Sequence, residues 1–246
     1  MKILKVISLL LDYPTQVIFD AKDELAQAIA ATRVISPEQR LAVQALVDEL
    51  TAGDLMDAQE AYVKLFNRGR HFSLLLFEHV HGESRDRGQA MVDLMAQYEN
   101  DGFAIDTKEL PDYIPLYLEY LSHCDEPTAR AGLADVEHLL ALLAARLVEQ
   151  GSPYAACFQA LLQIAGFEPE VAIAEVSEQV SQEVYDDSFE ALDALWEEEA
   201  VTFMSSEQTD SCGINSANAP QKQREDVAVP LHWVDFAHDA TATNKV

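Results

Sequence analysis

Lysine and arginine are missing from residues 147–221, while fifteen aspartates and glutamates fall between positions 149 and 210. The whole chain of 246 residues sets 43 acidic side chains against 16 Lys and Arg, a formal net charge of −27. A field of that sign repels phosphate backbones, so it argues against nucleic acid as a partner and favours a cationic peptide. A solvated acidic surface that keeps the chain soluble accounts for the composition as well, so a partner needs independent support. Cysteine is scarce: Cys124, Cys157 and Cys212 stand apart with no Cys-x-x-Cys spacing. That argues against a disulfide framework, a zinc ribbon or an iron-sulfur site, and the three are read as reduced thiols of a cytoplasmic protein. Nine glycines leave little material for a nucleotide cradle, and neither a Gly-x-x-x-x-Gly-Lys loop nor a dinucleotide fingerprint occurs. Gly82-Glu83-Ser84-Arg85-Asp86 falls short of a nucleophile elbow, because Asp86 stands where the sharp turn needs glycine and no strand precedes it. Catalysis is therefore not expected. No apolar stretch approaches the roughly 18 residues of a spanning helix. The apolar start, Met1 to Leu11, runs into Asp12-Tyr13-Pro14 rather than a small-residue cleavage site, which makes it a first buried helix.

What is abundant is helix punctuation. Ser36-Pro37-Glu38-Gln39 reads as a capping box with proline at the first helical position, followed by Leu41, Val43, Leu46, Val47 and Leu50. Leu55, Ala58, Tyr62, Leu65 and Phe66 recur at helical spacing from Asp54, and Met91, Leu94, Met95 and Tyr98 form a further stripe ending at Gly102. Ser152-Pro153 opens a helix that ends at Gly166; more helix is expected over 126–150, 169–183 and 188–203. The fold class is all-α, a bundle of about ten helices over residues 1–204. Residues 205–246 lose the periodicity and read as a flexible tail, within which 227–236 carries enough large apolar side chains to dock as an extended segment.

Charge of the rarer sign gathers in one place. Five of the sixteen basic residues lie between Lys64 and Arg87, and the ten-residue run from Glu78 to Arg87 holds seven ionisable side chains beside the apolar Phe72-Ser73-Leu74-Leu75-Leu76-Phe77. So many charges beside a core segment need partners. On a continuous helix His79 and Glu83 share a face, but His81 points about 160° away, so a metal site cannot converge. Glu83 and Arg87 are spaced as a favourable i, i+4 pair, and Glu78, His81 and Arg85 line a second stripe. A structural ion network of Glu83, Asp86 and Arg87 follows, with contact to a partner left open. Asp112 precedes Tyr113, Ile114 and Pro115 and fits a helix N-cap. Tyr62, Phe66, Tyr117 and Tyr120 fall at core spacing, where some can line both core and groove.

The segment from Leu65 to Leu94, with Arg68-Gly69-Arg70-His71 and Glu78-His79-Val80-His81-Gly82-Glu83-Ser84-Arg85-Asp86-Arg87 at its centre, resembles the signature of the respiratory nitrate reductase molybdenum-cofactor assembly chaperones, the delta subunit family. Tyr62-Val63-Lys64-Leu65-Phe66 resembles the Tyr-x-x-Leu-Phe element of the wider redox-enzyme maturation chaperones. Glu109-Leu110-Pro111-Asp112-Tyr113 resembles their Glu-x-Pro-Asp-His motif, with Tyr113 in place of the histidine. Ala191-Leu192-Asp193-Ala194-Leu195-Trp196-Glu197-Glu198-Glu199 is similar to the family's closing acidic helix. The likeness runs from about Met1 to Phe203. It implies a chaperone, not an enzyme, that binds the apo catalytic (alpha) subunit through its N-terminal segment, or the alpha-beta complex. Such a chaperone delays membrane docking and permits insertion of the molybdenum bis-guanine-dinucleotide cofactor, without holding that cofactor stably or remaining in the finished enzyme. The cofactor's biosynthesis proteins are weighed as further partners. The residues expected to meet the client peptide are Tyr62, Phe66, Arg68, Arg70, Glu78, His81, Arg85, Arg87, Asp112, Tyr113, Tyr117 and Glu119. The alternative is a proofreading chaperone for the twin-arginine leader of another molybdoenzyme.

Overall fold

The computed structural model describes residues 1–68, 70–81, 85–105 and 109–183, with the backbone alone at residues 80, 81 and 85. Among them are twelve α-helices and no strand. The all-α expectation is met, and the count exceeds ten for two reasons. The short helices α2 (Gln16–Asp20) and α6 (Leu76–His81) are too brief to show a helical period, and the segment after Glu126 divides at Val136 into α9 (Glu126–Asp135) and α10 (Glu137–Glu149). The boundary expected at residue 204, the closing acidic helix and the docking segment 227–236 lie outside the described residues.

Helix α10 explains the architecture. It buries Leu139, Leu140, Leu142, Leu143 and Leu147 together with three alanines. A helix apolar around most of its circumference has to be enclosed. It packs against α11 (Ala155–Ala165) and α12 (Pro169–Gln182), and α11 in turn touches α9 and α4 (Pro37–Leu50). Helix α1 (Lys2–Leu11), equally apolar, lies along α8 (Ile114–His123). Three contacts set their direction: the Met1 amino group donates to Ser122 O (2.5 Å), Lys5 reaches Glu119 (3.1 Å), and Ser8 Oγ donates to Pro115 O (2.7 Å). Rising numbers on one helix meet falling numbers on the other, so the two are antiparallel. Helix α3 (Lys22–Ala31) closes this side against α1 and α4. Each fully buried leucine or isoleucine of this core contributes roughly 1.5–3 kcal/mol relative to exposure.

Local chemistry sets several boundaries. Ser36 Oγ accepts from the Gln39 N–H (3.1 Å), the forward half of the expected capping box. The return half is absent: Ser36 N–H donates to Gln163 Oε1 (2.8 Å), and the buried Gln39 amide donates to Ala156 O (2.7 Å). Helix α11 lies close enough to satisfy both groups, and tertiary partners replace the local one. Asp54 caps α5 (Leu55–Phe66) through the Asp57 N–H (2.9 Å). Gly166, at φ +102°, ends α11 in the left-handed conformation that any side chain would strain. Gly132 on α9 is required for a different reason, since a Cβ there would sit 2.7 Å from the Tyr117 hydroxyl.

Helix α7 (Arg85–Asn100) contrasts with this core. Of the stripe expected there, Leu94 and Tyr98 are buried, Met91 is half-buried and Met95 is exposed. No helix of the described residues is long and apolar enough to cross a membrane.

Candidate functional site

Two segments that the sequence separates by some forty residues lie side by side. Residues 74–76 run antiparallel to residues 112–114: Ile114 N–H donates to Leu74 O (2.8 Å) and Leu76 N–H to Asp112 O (2.9 Å), with a single bridge between Leu75 and Tyr113. The Asp112 carboxylate completes the join. It accepts from the Phe77 N–H (3.1 Å) and therefore caps α6, not its own helix, for which Tyr113 is the N-cap residue. This corrects the expected N-cap role. With Pro111 before it and α6 packed alongside, the carboxylate meets the open first turn of the neighbour instead. Tyr98 on α7 holds the same segment by donating to Pro111 O (2.9 Å).

Asp112 is 0% exposed, and burial pushes its carboxyl up from the ordinary carboxylate value, opposed by the Phe77 hydrogen bond and by Arg87. Arg87 stands at 4.0 Å, the outer edge of an ion pair. Asp112 Oδ1 and Arg87 Nε are both buried without a hydrogen-bond partner. The pair is thus buried and only partly satisfied.

Beside this junction lies a cavity of about 420 Å³ bordered by Asp12, Tyr13, Tyr62, Phe66, Asn67, Ser73, Leu74, Leu75, Glu109 and Tyr113. The Tyr113 hydroxyl donates to Asp12 Oδ1 (3.0 Å), the Tyr62 hydroxyl donates to Leu11 O (3.0 Å), and the two hydroxyls stand 3.2 Å apart. Burial pushes the Tyr62 phenol up to about 12 and that of Tyr113 higher, so both remain protonated donors at neutral pH. Glu109 is also raised, first by burial and then by the Asp12 charge. Among the described residues no basic side chain lines the cavity, which combines aromatic and apolar walls with two carboxylates. Such a surface suits an apolar or aromatic anchor with a cationic group nearby.

On the other side of the signature segment Arg146 organises a denser network. Its guanidinium donates twice to Glu183 (2.7 and 2.8 Å) and once to His71 O (2.7 Å), with His79 Nδ1 at 3.4 Å. His79 Nε2 contacts Ser73 O (2.8 Å), Ser73 Oγ bonds Glu78, and Arg70 reaches Glu78 at 3.4 Å. Burial, then the Arg146 charge, lowers both His71 and His79 below their ordinary 6.5, and the Arg146 hydrogen bonds hold Glu183 low. The network ties α10 and the residue after α12 to the signature segment.

The structure brings Tyr62, Phe66 and Tyr113 together at the cavity, and Arg70 with Glu78 at the network. It separates others. Tyr117 is buried against α9, donating to Gly132 O (3.0 Å), and Glu119 is a surface residue paired with Lys5. Arg68 is half-buried after α5, and Asp86 is exposed. Glu83 and the side chains of His81 and Arg85 lie outside the described residues, and with them the expected Glu83–Arg87 pair. The described partner of Arg87 is Asp112. Asp12, Ser73, His79, Arg146 and Glu183 were not among the expected client-contact or ion-network residues. A signal existed for one: Arg146 is the last cation before the basic-free stretch and interrupts an otherwise apolar run. The others come together from distant positions. Among the described residues no group of three His, Cys, Asp or Glu could hold a metal ion. Cys157 is fully buried and its thiol is pushed up, which leaves it unreactive.

Residues 33–160 match the family described as nitrate reductase delta subunit. The chain is 44% identical over 229 residues to the nitrate reductase molybdenum cofactor assembly chaperone NarJ of Escherichia coli K12, covering 93% of this chain and 95% of that one. It is 45% identical over 237 residues to the probable nitrate reductase molybdenum cofactor assembly chaperone NarW of the same strain, covering 96% and 98%. To the probable NarJ chaperone of Bacillus subtilis it is 35% identical over 103 residues, 42% of this chain and 56% of that one.

Proposed function

Because the chain belongs to the nitrate reductase delta subunit family, we propose that it is a cytoplasmic assembly chaperone for a respiratory nitrate reductase, acting before molybdenum cofactor insertion. The observation that carries this reading is the 44% identity over 93% of the chain to a protein named for that task. The client is the apo catalytic subunit, taken by its N-terminal segment, alone or within the alpha-beta complex. The cavity at the junction of the two motif segments supports this. Its aromatic walls bury the apolar face of an amphipathic helix, while Asp12 and Glu109 meet the basic face. The acidic field of the chain raises the association rate, and the apolar contact governs dissociation. Held in this way, the client cannot dock on its membrane subunit until the cofactor is in place.

Calorimetry with a synthetic peptide from the N-terminus of the catalytic subunit tests the reading, with a twin-arginine leader from another molybdoenzyme as the rival. Binding of the first and not the second is expected. Tyr113→Phe removes the hydroxyl that donates to Asp12, and Asp12→Asn removes a charge from the cavity. Asp12→Asn should weaken binding about fivefold, the worth of one hydrogen bond of roughly 1 kcal/mol, and Tyr113→Phe by less, because its bond to Asp12 is made within the chaperone. If the folded protein ignores the catalytic-subunit peptide at every salt concentration, the mechanism is wrong.

A further inference from the structure

A second cavity, of about 340 Å³, lies on the neighbouring face of α5, where Ala58, Ala61 and Leu65 meet the end of α4 and the turn at Pro153. Three carboxylates stand on its border: Glu49 in the last turn of α4, Asp54 in the connecting turn and Asp57 in the first turn of α5. All three are exposed, and none has an ion-pair partner among the described residues. Helix α4 carries no basic residue in its last turn, so the negative end of its dipole adds to the field of Glu49, while Asp54 and Asp57 stand at the positive end of α5. Among the described residues the cavity's lining contains no cation.

A separate observation marks the floor. Tyr154 is 4% exposed, borders this cavity, and its hydroxyl has no hydrogen-bond partner. Its ring stacks edge-on against Phe66 at 4.9 Å. A buried donor left without an acceptor is uncommon, because its desolvation is not offset. Burial also raises this phenol, so it keeps its proton and can only gain from an acceptor supplied from outside.

We propose that this cavity is a binding site separate from the one beside Tyr113, and that it receives one lysine or arginine side chain of a partner polypeptide. The aliphatic stem rests on Leu50 and Leu65, the cationic head lies among Glu49, Asp54 and Asp57, and a small shift of the ring lets the Tyr154 hydroxyl donate to a backbone carbonyl of the same segment. A neutral side chain of equal length would leave the three carboxylates repelling one another. The inference does not depend on which client the Tyr113 cavity takes.

The test is a ¹⁵N-resolved titration of the full chain with the blocked tetrapeptide acetyl-Ala-Leu-Lys-Ala-amide, against the same peptide with norleucine in place of lysine. Saturable shifts are expected at the amides of Gly53, Asp57, Ala61 and Tyr154, with the norleucine peptide at least fivefold weaker. The exposed double substitution Glu49→Gln, Asp57→Asn should weaken the lysine peptide by a similar factor while the melting temperature stays within a few degrees. Tyr154→Phe should weaken both peptides equally, since it removes the carbonyl contact and not the charge. Absence of saturable shifts at these amides, equal binding of the two peptides, unchanged affinity in the double variant, or shifts confined to Asp12 and Tyr113 would each overturn the proposal.

Discussion

Arg146 and Arg87 are both arginines that tie the signature segment to another part of the bundle, and they do it in opposite ways. Arg146, with a side chain 10% exposed, has a bidentate carboxylate and a backbone carbonyl within 2.8 Å. Arg87 meets a fully buried carboxylate only at 4.0 Å, with a buried nitrogen and a buried oxygen unpaired. Taking a charge out of water costs several kcal/mol, and only close, complete pairing offsets it. The Arg146 network meets that condition, so it locks α10 to the segment after α5. The Arg87–Asp112 pair does not, so the segments it joins, beside the proposed client cavity, are held mainly by backbone hydrogen bonds and the Phe77 cap. One pair is a fastening; the other leaves interaction free energy unused next to the site.

Removing Arg146 should produce the largest effect. Arg146→Met leaves the Glu183 carboxylate and the His71 carbonyl without their donor and should lower stability by roughly 3–5 kcal/mol, measured by chemical denaturation. A loss below about 1 kcal/mol would place the two arginines in the same class. Double-mutant cycles state the contrast directly: Arg146→Gln with Glu183→Gln should couple by roughly 2–3 kcal/mol, and Arg87→Gln with Asp112→Asn by less than about 1 kcal/mol.

Acid separates the two regions by sign. His71 and His79 are held below 6.5 in the fold, so between their folded values and 6.5 the unfolded chain binds more protons, and stability falls as pH drops through that window. The lowered Glu183 continues the loss below its ordinary 4.5. Asp112 acts the other way, since its raised carboxyl is a penalty at neutral pH that lessens as pH approaches its folded value. Melting temperature should therefore decline from pH 7.5 to 5.5, His79→Gln should flatten the decline, and Asp112→Asn should steepen it slightly. The smallest effect is expected at Glu119, where the pair with Lys5 is about half-exposed. Glu119→Gln should change stability by less than about 0.5 kcal/mol, and a larger loss would mean that α1 and α8 depend on that pair.

Much of the fold was legible because its signals are local. Ser36, Asp54 and Gly166 mark helix ends through chemistry within four residues, and the structure ends its helices beside them. The site was legible in part. Tyr62, Phe66 and Tyr113 could be chosen by resemblance, and they do meet at one cavity. Their polar partner Asp12 could not, because it follows the first helix and reaches Tyr113 only through the antiparallel packing of α1 on α8. Asp112 was assigned to the helix it precedes because capping is ordinarily local; a neighbouring helix start offered the better donor. Tyr117 was expected at the client surface, yet its hydroxyl is committed to α9 at a place where only glycine leaves room.

By itself the sequence determined the helical class, the helix starts at Ser36 and Asp54, the family and the concentration of negative charge. The family follows from the resemblance of the motif residues between Tyr62 and Tyr113, and each of the others from composition, from side-chain periodicity, or from hydrogen bonds that close within one turn. Only the tertiary structure decided which carboxylate caps which helix, which arginine is fully paired, and which tyrosines border a cavity. Those outcomes depend on burial and on atoms brought within 3 Å from positions dozens of residues apart, and no local pattern encodes that distance.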